Sequence, residues 1–259
     1  MGTRKMRGTK RALCIAAATL LATASLAASA KDFECNVDSD YELSITPKSL
    51  ILTRDIGTPK AIVMRSGRLF IDDRWVTLSS EDSARIAEYE KQARATMPLA
   101  QAIGRDAADI AFTTLGEVAA GLSATPDETR AHLAKARVQI DQRLARSVTA
   151  NRFNGNDLGH GIAEAIGEAL PVVIGDIVGG AIGAAFSGDT ARIDRLNSID
   201  KEVERRVAPR AKLLEARAEQ LCRRMESLDE IDDAMAYRLP GGRRLDLLDA
   251  KVDVREAKR

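Results

Sequence analysis

Small residues recur at every fourth position between residues 154 and 188. A second row with the same spacing consists of bulky apolar residues. The small row is Gly155, Gly159, Ala163, Gly167, Pro171, Gly175, Gly179 and Gly183, and the bulky row is Leu158, Ile162, Ile166, Leu170, Ile174, Val178, Ile182 and Phe186. Such rows form ridges and grooves on a helix, and glycine lets a neighbouring helix approach closely. Because a period of four exceeds the helical repeat of about 3.6 residues, we expect two shorter helices with a break near Pro171.

Three environments are possible for the small row: the interior of this chain, a second copy of it, or a membrane. The packing residues of the row, called the glycine face below, are Gly167, Gly175, Gly179 and Gly183. Burial inside the chain's own helical domain is favoured because it needs no other molecule. Self-association through the same face is the second interpretation. Membrane insertion of residues 169–186 is the third, and it is disfavoured because Asp176 near the centre costs about 2.5 to 3.5 kcal/mol.

The first thirty residues have the layout of a secretory signal peptide. A basic start precedes an apolar run, and Ala28 and Ala30 suit cleavage before Lys31, which predicts a periplasmic location. Without residues 1–30 the chain carries 34 basic and 38 acidic residues, a net charge of −4. This balance argues against nucleic acid as a partner.

Two cysteines remain after the leader, Cys35 and Cys222. In an oxidising compartment we expect them to form a disulfide bond. The bond would require the start of the exported chain to touch a helix near its end. Two buried free thiols are the alternative.

Residues 31–78 predict a small antiparallel β-meander. Short runs of alternating apolar and polar residues are separated by the turn sequences Ser66-Gly67 and Asp72-Asp73. About four or five short strands are expected.

Residues 79–240 predict a mostly helical domain. Ser79 supplies an N-cap for a first helix, and Pro98 suits the first turn of a second. Thr125 and Pro126 begin a third. The fold class is therefore α+β, with the small N-terminal β-meander followed by this mostly helical region.

The last predicted helix follows residue 189 and resembles a coiled coil. Its apolar residues recur at threes, fours and sevens, which is the spacing of a coiled-coil seam. Pro209 either kinks this helix or divides it into two antiparallel helices. Residues 241–259 form a charged tail that we expect to fray.

Several stretches carry a family resemblance. They are Cys35, the hairpin LFIDDRWV at residues 69–76, the segment ARAEQLC at residues 216–222, and RLP at residues 238–240. In these stretches the chain resembles the YggN-like family, exported proteins of Gram-negative bacteria with a domain of unknown function. The resemblance covers nearly the whole chain after the leader and implies a periplasmic location. It supplies no catalytic residues.

Recognisable catalytic patterns are scarce. His160, Glu164 and Glu168 stand four residues apart, so a helix places them on one side as candidate metal ligands. A metal would need a further converging group, so a polar helix face is the favoured interpretation. The acidic pairs at Asp229 and Asp232 lack the glycine of a calcium loop and predict a solvated helix end. No phosphate-binding loop or serine elbow occurs, and no cofactor is expected.

The favoured function is a periplasmic, non-enzymatic structural or protein-binding module. Its helices would contact another envelope protein or a second copy of the chain. The alternative is a membrane-associated protein that inserts or docks through residues 169–186. A carboxylate-based hydrolase or a metal-binding protein is the third hypothesis, because paired Asp and Glu residues have no reliable local signature.

Overall fold

The computed structural model describes residues 32–187 and 190–255. Their secondary structure is an antiparallel sheet followed by long helices, which confirms the predicted α+β class. The leader with its predicted cleavage site before Lys31, residues 188–189, and residues 256–259 of the tail lie outside the described residues.

The strands form one sheet and one separate ribbon. They are β1 (Asp32–Asp38), β2 (Glu42–Ile45), β3 (Leu50–Thr53), β4 (Ala61–Arg65), β5 (Arg68–Ile71), β6 (Arg74–Val76), β7 (Phe153–Asn154) and β8 (Asp249–Arg255). Six of them make an antiparallel sheet in the order β6-β5-β4-β3-β2-β7, so the expected meander gains β7 from the helical region. β1 pairs with β8 in an antiparallel ribbon of its own.

Tight turns fix the register of the sheet. Ser66 and Gly67 adopt φ angles of 51° and 73°, the signs that a type I′ hairpin turn requires. The turn places Met64 opposite Leu69, and both side chains are fully buried. One face of the sheet thereby packs against the helices and contributes six of the sixteen buried residues in the larger of two apolar clusters.

Four helices follow the meander. They are α1 (Ser80–Leu122), α2 (Pro126–Ser147), α3 (Gly155–Ser187) and α4 (Thr190–Asp233). Pro98, Pro171 and Pro209 lie inside α1, α3 and α4, so the expected breaks at Pro98 and Pro171 and the division at Pro209 are wrong. An interior proline costs about 3 kcal/mol, and packing along such long helices outweighs that local cost.

Ion pairs join the C-terminal half of α1 to the middle of α4. The pairs are Asp106–Arg217, Asp109–Arg210 and Glu117–Arg206. Because residue numbers rise along α1 as they fall along α4, the two helices are antiparallel. Partly exposed pairs are each worth up to about 1 kcal/mol, so their main effect is on register. The coiled-coil seam of α4 stays a prediction, since the side chains of Ile193 and Leu196 lie outside the described residues.

The first and last described strands pair in the β1–β8 ribbon. Cys35 of β1 is bonded to Cys222 of α4, as predicted, with their Cα atoms 6.2 Å apart. Leu245 and Leu247, just before β8, are buried in the larger apolar cluster. The expectation of a fraying tail is therefore wrong for residues 245–255, because alternating apolar residues among the charges bury one side of this segment.

Acidic side chains of α4 bind backbone N–H groups of β8 and of the two residues before it, along the edge that β1 leaves open. The bonds run from the N–H groups of Leu247 and Leu248 to Asp232 (2.7 and 3.2 Å), from Ala250 to Asp229 (3.1 Å), and from Val252 to Glu226 (3.3 Å). Glu226, Asp229 and Asp232 are called the acidic row below. The row takes the place of a neighbouring strand, because it satisfies backbone donors at the sheet edge. The interpretation of Asp229 and Asp232 as a solvated helix end is wrong.

A carboxylate of α1 holds the start of the same C-terminal segment. Asp82 accepts hydrogen bonds from the N–H groups of Ala236 and Tyr237 at 3.0 and 2.8 Å, and from Arg85 at 2.8 Å. Burial raises the pKa of Asp82, but these hydrogen bonds outweigh burial, and the pKa lies below its ordinary value. Carboxylates from both long helices therefore fix the chain after α4.

Asp232 differs from Asp82 in the sign of its pKa shift. Burial raises the pKa of Asp232 to about 7 from 3.8, against the opposing effect of its hydrogen bonds to Leu247 and Leu248. Asp246 and Asp229 add to the rise through their charge. The folded state therefore keeps the proton to a higher pH than the unfolded state does, and stability falls as pH rises through this window.

We expect Asp232→Asn to remove this pH dependence. The free energy of unfolding of the variant, measured by urea titration, should rise relative to the wild type between about pH 4 and about pH 7, by at most about 1.4 kcal/mol per pH unit. Glu230→Gln removes an exposed carboxylate from the same helix and should follow the wild type. Parallel pH curves for Asp232→Asn and the wild type would contradict the shift.

α3 docks on the turn between α1 and α2 through one carboxylate. The donors to Asp176 are the hydroxyls of Ser123, Thr125 and Thr129 and the backbone N–H of Thr125. The hydroxyls of Ser123 and Thr129 lower the pKa of Asp176 to about 2, so the group is ionised at neutral pH. Asp176 is a docking contact of an otherwise apolar helix segment.

Gly180 allows the same turn to approach the backbone of α3. A Cβ atom on Gly180 would overlap the carbonyl oxygen of Leu122 and lie 2.6 Å from the backbone nitrogen of Ala124. A Cβ atom on the adjacent Gly179 would meet open space. Gly180 is therefore required by packing inside the chain, whereas Gly179 is not.

Alanine substitutions at these neighbours should have opposite effects. Gly180→Ala should destabilise the fold by about 1 to 3 kcal/mol because the added methyl group separates α3 from the turn. Gly179→Ala should stabilise it by up to about 1 kcal/mol because alanine favours the helix. Thermal and urea unfolding of dilute protein measure both. Equal effects at the two positions would show that α3 does not dock in this way.

Candidate functional site

The side of α3 that faces away from α1 and α2 is apolar and exposed. Its outer side chains are Ile174, Val178, Ile182 and Phe186, which are 50%, 50%, 53% and 89% exposed. They are called the apolar face of α3 below. Asp176 is the one charged residue between positions 170 and 186, and it binds the α1–α2 turn on the other side. A contiguous exposed apolar surface of this kind marks an interaction site.

The glycine face lies beside this exposed surface. A Cβ atom on any of Gly167, Gly175, Gly179 or Gly183 would meet nothing within 4 Å. The expectation that this face is buried in the chain's own helical domain is therefore wrong, and a second molecule has room to reach the backbone there.

Two glycines that the sequence analysis did not single out do pack inside the chain. Gly180 contacts the α1–α2 turn, and a Cβ atom on Gly161 would lie 2.9 Å from Cδ of Arg143. Neither Gly180 nor Gly161 belongs to the row of small residues at every fourth position. Their position outside this row is the one sequence signal that distinguishes them from the exposed glycines. Glycines inside the row are thus exposed, whereas these two support the fold.

Among the described residues, one helical segment, Gly155–Gly183, is long and apolar enough to cross a membrane by length and composition alone. In the folded chain one side of this segment packs on α2 and binds the hydroxyls around Asp176. A helix surrounded by lipid would lose these hydrogen bonds unless the turn accompanied it.

Two of the three candidate metal ligands, His160 and Glu164, are used in other contacts. His160 Nδ1 lies 2.8 Å from the carbonyl oxygen of Asn156, which can only accept a hydrogen bond. Glu164 lies 3.6 Å from Arg143 of α2. Within the described parts of the chain, no group of three or more His, Cys, Asp or Glu side chains is placed to hold a metal ion. His160, Glu164 and Glu168 therefore do not form a metal centre there.

The hydrolase hypothesis needs two carboxylates that both reach a substrate. Asp82 and Asp232 are the most buried aspartates described, each 2% exposed. Both accept hydrogen bonds from backbone N–H groups of the C-terminal segment. These contacts explain the two carboxylates as parts of the fold and give the hydrolase hypothesis no support.

Comparison with known proteins connects this architecture to one family. A family model described as a protein of unknown function (DUF2884) matches residues 35–248, from the cysteine of β1 through the buried leucines before β8. No curated protein and no solved structure matches the chain. Since the match covers most of its length, the chain belongs to the DUF2884 family of proteins of unknown function.

Proposed function

We propose that this protein is an exported, non-enzymatic binding module of the periplasm, and that it binds a second copy of itself through α3. The observation that carries the proposal is the apolar face of α3 lying beside an open glycine face. Exposing Ile174, Val178, Ile182 and Phe186 to water is unfavourable, so a partner that covers them gains the free energy of their burial.

α3 is complementary to itself. Its bulky row and its small row both repeat every four residues, so the ridge on one copy fits the groove on the other when two α3 helices cross. Glycine in the groove permits close contact between the backbones. Because both copies use the same surface, the contact is a two-fold symmetric one that closes as a dimer.

Charge favours an antiparallel crossing of the two helices. Glu164 and Glu168 lie in the N-terminal half of α3, and no Asp, Glu, Lys or Arg occurs between residues 177 and 187. A crossing near Gly179 in the antiparallel sense carries the acidic halves away from each other. A parallel pair would bring like charges together, which is unfavourable.

The same charges weigh against a membrane as the partner. α3 contains no lysine or arginine, the residues through which surface helices bind anionic headgroups. The exposed charges of α3 are acidic and would be repelled by such lipids. Docking of residues 169–186 on a membrane is therefore the alternative outcome of the tests below.

Sequence and covalent structure support the export part of the proposal. Residues 1–30 carry the signal-peptide pattern, and the resemblance to YggN-like exported proteins implies the same location. A disulfide between Cys35 and Cys222 suits an oxidising compartment.

We expect the protein that begins at Lys31 to be a dimer, and Gly179→Leu to weaken it. The leucine side chain holds the two backbones apart and should raise the dimer dissociation constant by about tenfold or more while leaving the folded chain intact. Gly116→Leu is the matched control, since Gly116 of α1 also faces open space. Sedimentation equilibrium measures both. A wild type that stays monomeric, or a Gly179→Leu dimer of unchanged affinity, would reject self-association.

Cell fractionation tests the location. We expect osmotic shock to release the protein, and N-terminal sequencing to begin at Lys31. Retention in membranes after carbonate extraction would favour the membrane alternative. Full-length protein with its leader in the cytosol would refute export.

A further inference from the structure

An apolar cavity of about 370 Å³ lies between the first three helices. Its walls are α1 from Gly104 to Leu115, α2 from Leu133 to Leu144, and α3 from Ile162 to Val173. The lining atoms are almost all apolar. Alanines at positions 107, 108 and 111 form much of the α1 wall, and their small side chains leave the space between the helices open.

The cavity is long and narrow. Each wall extends over eleven residue steps, which is about 16 Å along a helix. A volume of about 370 Å³ spread over this length suits one extended chain better than an α-helix, which is about 10 Å across.

Contacts at both ends close the cavity, and one side is open. At one end a Cβ atom on Gly104 would lie 3.0 Å from Leu144 Cδ2, so α1 and α2 are in close contact there. At the other end Asp176 and its hydroxyl donors lie about one turn beyond Val173 and Leu133. Solvent reaches Ala107 and Ala111 of α1 and Ile166 of α3, so entry is lateral, between α1 and α3.

We propose that this cavity binds a single unbranched acyl chain, presented by a single-chain amphiphile whose headgroup stays in solvent at the lateral opening. The volume lies within the range of about 300 to 1,000 Å³ that small-molecule sites occupy. A polar ligand would lose its hydrogen bonds to water and find none on these walls. A hydrocarbon chain loses none and displaces weakly held water.

This site is separate from the centre of the proposed dimer contact near Gly179, and only the N-terminal part of the two rows, around Gly167, lies beside the cavity. The walls of the cavity use α3 up to Val173, whereas the apolar face of α3 begins at Ile174. The acyl-chain site therefore goes beyond the proposed function, and either one can fail while the other stands.

Binding should depend strongly on chain length. Since burial of each methylene contributes about 0.8 kcal/mol, affinity should rise by about fourfold per methylene until the cavity is full. We expect palmitate to bind the protein that begins at Lys31 far more tightly than octanoate does, as measured by isothermal titration calorimetry. Palmitoyl lysophosphatidylethanolamine forms a second arm, which distinguishes a lysolipid from a free fatty acid as the source of the chain.

Variants at the opening test the location. Ala111→Phe and Ala107→Phe each place a ring across the entrance from an exposed wall position, and we expect each to reduce affinity by about tenfold or more. Ala134→Phe, at an exposed position of α2 outside the cavity, should bind as the wild type does. Gly179→Leu should also bind normally, even if it dissociates the dimer.

The proposal is overturned if neither amphiphile binds, if affinity does not depend on chain length, or if both entrance variants retain full affinity with an unchanged melting temperature. Loss of binding in Gly179→Leu together with loss of the dimer would place the ligand at the dimer contact and would also overturn this assignment.

Discussion

The fold depends on the junction where its two ends meet. β1 and β8 pair over all seven residues of each strand, and the acidic row of α4 binds the remaining edge of β8. A disulfide fastens the ribbon to α4 at Cys222. Because α1 and α4 extend about 65 Å from this region, a small rotation at the junction moves their far ends by a large distance. α3 docks near that far end. The orientation of the helices at the β1–β8 junction therefore determines where the candidate site lies.

One side of α3 docks on the rest of the chain, and the other side is exposed. One side is held by Asp176 and by the close approach at Gly180, and both contacts are made to a short turn between α1 and α2. The other side presents apolar side chains and open glycines. A helix held on one side in this way keeps its exposed surface in a fixed orientation, which lowers the entropy that a partner must remove on binding.

Local chemistry predicted much of the fold. The alternation in β4 and β5, the Ser66-Gly67 turn and the cap at Ser79 depend on neighbouring residues, and the structure contains all of them. The errors arose where distant contacts decide the outcome. Pro98 does not end α1, and α4 contacts α1 on both sides of it, through Arg224 at the carbonyl oxygen of Ala95 and through Arg217 at Asp106. The sequence pattern does not predict the C-terminal strand, because its partners are distant in sequence: β1 pairs with one edge and acidic side chains of α4 bind the other.

The candidate site shows the same limit. The glycine row was visible in the sequence, yet periodicity does not tell which side of a helix is exposed. From the sequence alone Asp176 indicates only that membrane insertion of this segment is unfavourable. Its docking role depends on the hydroxyls of Ser123 and Thr129, which lie about fifty residues earlier. The cavity needs three helices at set distances, so composition alone could not indicate it.

The covalent link at Cys35 also determines how the molecule would bear tension. Asp32 and Arg255 are paired at one end of the ribbon. A force that pulls the start of β1 away from the end of β8 therefore acts first on this pair. While the bond to Cys222 is intact, the load passes from β1 directly into the end of α4. The intervening sheet, α1 to α3 and the part of α4 before Cys222 then form a closed loop that carries no force. Reduction would release that loop, and the tethered length would grow from a few dozen residues to the whole chain.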